Sequence, residues 1–66
     1  MKLKLFIYDF YIKETNTFAF SVDVIAPTKQ GAIKKIHDKA LRILTDAGAT
    51  QDLRLYKKVA RCEQEI

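Results

Sequence analysis

The chain has 66 residues, 48% of them hydrophobic and 30% charged, and a formal net charge of +4. This composition predicts a single small folded domain spanning 1–66, and it excludes a disordered tail, a collagen-like repeat and a low-complexity segment. With one Cys and one His, the chain can form neither an internal disulfide nor a Cys/His zinc cluster, which needs about four ligands, so we expect no metal and no cofactor.

The N-terminus begins like a signal peptide, with basic residues ahead of an apolar run. Asp9 ends that run after residues 5–8, whereas a signal peptide needs about 7–15 apolar residues. No stretch approaches the roughly 18 apolar residues of a membrane span, neither end carries a lipidation motif, and a lone cysteine fits a reducing compartment. We therefore expect a cytoplasmic protein with no membrane partner.

The first two predicted elements form a β-hairpin. Residues 5–12 are aromatic and β-branched almost throughout, which is typical of a strand, and we place this strand at about 3–13. A second strand is predicted at about 18–26, because every other residue there is apolar: Phe18, Phe20, Val22 and Val24. Pairing Ile12 with Phe18 across the short polar link gathers the apolar side chains of both strands on one face.

An amphipathic helix is predicted at about 29–47. Its apolar residues recur at spacings of three and four, namely Ile33, Ile36, Ala40, Ile43, Leu44 and Ala47. Thr28 is a good N-cap, and Gly48 supplies a left-handed C-cap. Beyond a short linker, Leu53, Leu55 and Val59 fall on alternate positions and predict a third strand at about 53–61. We expect the tail 63–66 to fray.

This order of elements predicts an α+β fold of the ββαβ type. A right-handed crossover over the helix lets the third strand pair antiparallel with the first, which gives a three-stranded sheet of order 2-1-3. The helix covers one face of the sheet and leaves the other face, here called the open face, without a cover. The predicted open face carries Leu3, Leu5, Ile7, Asp9, Tyr11, Ala19, Ser21, Asp23 and Ile25.

Part of the predicted open face is apolar. The residues concerned are Leu5, Ile7, Tyr11 and Ile25. They can be the scattered exposed apolar residues that every small protein has. They can equally form an interface with a protein partner or with a second copy of the chain, since a domain with so small a core gains much from association.

The sequence offers little that could support catalysis. Asp9 and Asp23 lie diagonally close on the open face, but on a flat, wet surface with Lys57 or Lys58 in reach. Nothing places His37 beside Cys62 as base and nucleophile. There is no glycine-rich phosphate loop, no nucleophile elbow and no metal-ligand spacing. The sequence therefore predicts a protein that is not an enzyme.

The positive charge is concentrated in the second half of the chain. Residues 1–27 are balanced, whereas residues 28–62 hold nine basic and three acidic residues. Four of the basic residues form a row on the solvent side of the helix, here called the basic row: Lys34, Lys35, Lys39 and Arg42. Such a row is the ordinary outer face of a surface helix, and it is also typical of proteins that bind nucleic acid or acidic proteins.

The layout as a whole resembles that of very small bacteriophage proteins, among them anti-CRISPR proteins and phage antitoxins. The resemblance rests on the N-terminal hairpin, the junction Val24-Ile25-Ala26-Pro27-Thr28, the single amphipathic helix and the last strand. It covers nearly the whole chain at the level of layout, and no family residue is carried over from it. It implies an inhibitor that binds and blocks a larger host or defence protein complex by surface occlusion, in the host cell cytoplasm if the protein is phage-encoded.

Two partner classes follow from these observations. Because the chain is basic, we do not expect it to mimic DNA, as acidic phage inhibitors do. The expected partner is an acidic protein surface or the guide RNA of a nucleoprotein complex. The alternative is a nucleic-acid-binding accessory protein that uses the basic row.

Overall fold

The structure, a computed structural model, describes residues 2–66. Its elements are β1 (Lys4–Ile12), β2 (Thr17–Ala26), α1 (Lys29–Asp46), a 3-10 turn (Leu53–Leu55) and β3 (Tyr56–Glu65). The three strands form one antiparallel sheet of order β2-β1-β3, and α1 packs on one face of it. The predicted ββαβ fold is therefore confirmed.

The core lies between α1 and the half of the sheet formed by β1 and β2. Alternate residues of β1 point toward the helix, which buries Phe6, Tyr8 and Phe10. From α1 the core receives Ala32, Ile36 and Ala40, all fully buried, and the two alanines allow the helix backbone to approach the sheet closely. Because α1 lies mainly over β2, the buried side of the helix is rotated from the predicted stripe. Ala32 joins it, whereas Ile43 and Ala47 are exposed.

The hairpin register is the predicted one in its middle and differs at the turn. Phe10 faces Phe20, as expected, but Tyr11 faces Phe18 and Ile12 faces Thr17. The predicted pairing of Ile12 with Phe18 is therefore wrong. The turn closes over residues 13–16, where Asn16 has a φ of 56° and its N–H donates to the Ile12 carbonyl at 2.7 Å.

A β-bulge on β2 reconciles this turn with the packing of the two strands. The turn sets the pairing one residue away from the register that the apolar alternation requires. β2 therefore contains one extra residue, Ala19, which has no partner on β1 and lies between Phe18, which faces Tyr11, and Phe20, which faces Phe10. As a consequence Phe18 turns from the helix side to the open face, where its ring lies edge-on to Tyr11 at 5.8 Å.

The third strand runs from Tyr56 to Glu65, not over the predicted 53–61. Its start is delayed because the Asp52 side chain accepts the N–H of Arg54 at 3.0 Å and so caps the 3-10 turn. Its end extends further because β1 begins at Lys4 and supplies partners for residues 63–65. The tail 63–66 is therefore paired rather than frayed, and the N–H of Ile66 donates to the Leu3 carbonyl at 3.1 Å.

Both helix caps are those that the sequence predicts. The Thr28 hydroxyl accepts the N–H of Gly31 at 3.1 Å. At the other end Gly48 has a φ of +70°, its N–H donates to the Thr45 carbonyl, and the N–H of Ala49 donates to the Leu44 carbonyl at 2.9 Å. These two bonds form a Schellman motif, which needs a residue in the left-handed region.

Replacing Gly48 by Ala is expected to lower the free energy of unfolding by about 1 kcal/mol, because a Cβ disfavours the left-handed conformation. No atom lies within 4 Å of the added Cβ, so the loss is one of backbone conformation alone. Urea unfolding followed by circular dichroism measures it. Gly48→Asn is the matched control and should lose less, since Asn tolerates this region; equal losses for Ala and Asn would contradict the assignment.

Candidate interaction site

The open face carries apolar side chains at both ends of the sheet. At one end Leu5 faces Ile25 across the β1–β2 pair, with Ile7 next along β1. At the other end Tyr11 faces Phe18. Leu5, Ile7 and Tyr11 are half-buried by their neighbours, whereas Ile25 and Phe18 are 49% and 54% exposed. The structure therefore places all four predicted residues on one face and adds an exposed aromatic ring to them.

Two exposed apolar residues of this face are missing from the sequence prediction. The alternation in β2 assigns Phe18 to the helix side, and only the bulge at Ala19 turns it to the open face. Val59 is 40% exposed and faces Asp9 from β3. Its place on the open face could have been derived once the β3 register was known, but no residue in β3 fixes that register.

The centre of the open face holds an ion pair with a buried carboxylate and an exposed arginine. Asp9 is only 9% exposed, and the Arg61 Nε lies 3.0 Å from both of its carboxylate oxygens. The expected neighbours Lys57 and Lys58 are engaged elsewhere. Lys57 donates to the Asn16 side chain at 3.2 Å, and the Lys58 ammonium lies over the Tyr8 ring at 5.4 Å from its centroid. Arg61 therefore replaces the predicted lysines as the partner of Asp9.

The basic row divides into two parts. Lys35 donates to the Ile25 carbonyl at 3.0 Å, and Lys39 donates to the Asp23 carbonyl at 2.7 Å. Both carbonyls lie on the outer edge of β2, so these ammonium groups cover an edge that another strand could otherwise use. Lys34 and Arg42 lie elsewhere on the surface of α1. All four residues of the row lie on the helix side of the molecule or along its β2 edge, apart from the open face.

The other candidate groups are not brought together. His37 borders a groove of about 170 Å³ between α1 and β3 on the helix side of the sheet. Cys62 faces Ile7 on the open face, so the sheet separates it from His37. Within residues 2–66, no group of three or more His, Cys, Asp or Glu side chains is arranged to hold a metal ion.

A second depression, of about 420 Å³, lies beside the hairpin turn. It is lined by the apolar residues Ile12, Leu55 and Tyr56 and by three charged side chains, those of Lys13, Glu14 and Arg54. Arg54 is already paired, since its Nε donates to the Asp52 carboxylate at 2.9 Å and this hydrogen bond lowers the pKa of Asp52. The Arg54 guanidinium therefore already has a carboxylate partner within the chain.

Comparison with protein-family models, with curated proteins and with solved structures finds no match to this chain. Across residues 2–66, no helix is both long enough and apolar enough to cross a membrane.

Proposed function

We propose that this protein is a small interaction protein that binds a larger protein through its open face and blocks it by surface occlusion. The observation that carries the proposal is the apolar surface left uncovered on that face. Phe18 and Ile25 lie at its two ends and Val59 lies opposite Asp9, and each is at least 40% exposed. Contiguous exposed apolar side chains mark sites of protein interaction, and aromatic residues are enriched at protein interfaces; both kinds of side chain are exposed on this face.

The ion pair at the centre of the open face lowers the cost of covering the Asp9 carboxylate. Asp9 is only 9% exposed in the free protein, and Arg61 is its charged partner. A partner that covers the face therefore removes little further water from this carboxylate. An unpaired charge at the same place would oppose binding by several kcal/mol, because its desolvation would have no compensation.

The resemblance of the layout to small phage inhibitors suggests the biological setting. In that setting the partner is a host or defence protein complex, and the protein acts in the host cytoplasm. Lys34 and Arg42 lie on the helix side, so they would meet an acidic surface or guide RNA only where such a complex extends around the edge of the sheet.

The test begins with capture of a stoichiometric protein partner from a bacterial lysate, whose affinity for variants is then measured. Ser in place of both Phe18 and Ile25 should weaken binding by about thirtyfold or more, since truncated hot-spot residues cost about 2 kcal/mol or more. The control replaces Lys34 and Arg42 by Glu and should bind as the original does. Weak binding by the Lys34 and Arg42 variant together with normal binding by the Phe18 and Ile25 variant would assign binding to the basic row. Failure to recover any stoichiometric partner would contradict the proposal.

A nucleic-acid-binding function is the second candidate, and one observation favours it. The bulge places Phe18 beside Tyr11, and the Lys57 ammonium lies 5.8 Å from the Tyr11 ring centroid. Aromatic rings next to basic groups are what a single-stranded nucleic acid needs for stacking. Fluorescence anisotropy with oligo-dT and oligo-U at two salt concentrations tests it. Binding that weakens steeply with salt supports this function, and no binding at low salt removes it.

A further inference from the structure

The two edges of the sheet differ in whether their outward backbone groups are covered. On β2, Lys35 and Lys39 donate to the outward carbonyls of Ile25 and Asp23. On β3, no other strand of the described chain pairs with the outer edge, and α1 lies mainly over β2. An uncovered edge strand of ten residues is a template for another strand.

The hydrogen-bond pattern determines which residues of β3 direct their backbone N–H and C=O groups away from the sheet. Since Asp23 points its carbonyl away from the sheet, its partner Ile7 directs its backbone groups toward β3. The backbone N–H and C=O groups of Cys62, which faces Ile7, therefore point inward to β1, and those of Glu63 point outward. β3 also contains a bulge, at Arg61, because Ile7 faces Cys62 whereas Tyr8 faces Ala60. Before this bulge the alternation is shifted by one residue, so the backbone groups of Lys58 also point outward.

The charge distribution along β3 is complementary to that of a second, antiparallel copy of the same strand. The strand begins with basic residues, Lys57 and Lys58, and ends with acidic ones, Glu63 and Glu65. Two antiparallel copies would place the basic half of each beside the acidic half of the other. Lys58 faces Phe10 and Glu63 faces Phe6, both of which are buried under the helix. The bulge thus sets Lys58 and Glu63 on the same side of the sheet, where they can form a cross-strand pair.

We propose that two copies of this chain associate through their β3 edges, antiparallel about a two-fold axis, to form a six-stranded sheet. Lys58 of each copy lies opposite Glu63 of the second copy, and the strand order becomes 2-1-3-3-1-2. Such a contact is closed, because the same edge is used by both copies and none is left over. The outer strands of the dimer are then the two β2 edges, which Lys35 and Lys39 already cover.

This dimer neither depends on the proposed function nor competes with it. A two-fold axis perpendicular to the sheet leaves both open faces on the same side and uncovered. The surface offered to a protein partner is thereby extended from three strands to six. A 66-residue domain also has a small core of its own, so pairing of its free edge adds stability that the monomer cannot supply.

Charge reversal tests the proposal through the mass of the protein in sedimentation experiments over a range of concentrations. The original chain should sediment as a dimer. Lys58→Glu and Glu63→Lys each place like charges opposite one another twice, so each alone should raise the dissociation constant by about tenfold or more. Lys34→Glu makes the same change of charge on α1 and should leave the dimer intact. Circular dichroism verifies that all variants are folded.

The decisive measurement mixes the K58E and E63K variants in equal amounts. In a mixed dimer one copy carries a glutamate at both positions and the other carries a lysine at both, so each contact again joins opposite charges and the dimer mass should return. It should return as well in the chain that carries both K58E and E63K. A monomeric original chain at all concentrations would overturn the proposal, as would single variants that dimerise normally or a mixture that stays monomeric.

Discussion

Replacing Ile36 by Ala is expected to lower the free energy of unfolding by about 3–4 kcal/mol, within the range measured for large-to-small changes in protein cores. Ile36 is fully buried in the cluster formed by α1, β1 and β2. Domains of this size are stable by only about 3–10 kcal/mol, so one substitution removes much of the total. Urea unfolding followed by circular dichroism at 222 nm measures the loss.

Ile43→Ala is the matched control for this result. Ile43 lies on the same helix and undergoes the same chemical change, but it is 36% exposed. The gain in helix propensity from Ile to Ala is common to both variants and cancels in the comparison. We expect a loss below about 1 kcal/mol for Ile43, because little cavity is formed. Similar losses at the two positions would contradict the position of the core that the structure describes.

The features of the fold that depend on neighbours in sequence could be predicted from the sequence. The alternation in β2, the spacing of three and four in α1 and the cap residues Thr28 and Gly48 each act over a few residues. Together they predicted the ββαβ order and the sheet order 2-1-3, which the structure confirms. The middle of the hairpin register followed as well, because a slip would expose the apolar side chains.

The two bulges could not be predicted, because they are set by distant constraints. At Ala19 the cause is a conflict between the geometry of the turn at Asn16 and the packing of the strands, and no glycine or proline marks the position. At Arg61 the bulge shifts the alternation of β3. The first bulge moves Phe18 to the open face, and the second brings Arg61 to Asp9, so the errors of the sequence analysis fall on the candidate site.

Replacing Arg61 by Met is expected to lower the free energy of unfolding by about 1–2 kcal/mol. Met retains much of the apolar stem but leaves Asp9, 9% exposed, without its charged partner. A hydrogen bond to a charged group contributes about 1.5–3 kcal/mol when buried. The value is reduced here because the Arg61 side chain is 55% exposed to solvent. Lys57→Met removes another cation from β3 and should cost less than about 0.5 kcal/mol, since Lys57 contacts only groups at the surface.

A double-mutant cycle with Asp9→Asn separates the pair from the general effect of losing an arginine. Once Asp9 carries no charge, replacing Arg61 by Met should cost about 1 kcal/mol less than it does in the original chain. Additive losses would mean that other groups satisfy the Asp9 carboxylate. A coupled result would show that the charge of Asp9, at the centre of the open face, is neutralised within the chain by Arg61, which the proposed covering of this face by a partner requires.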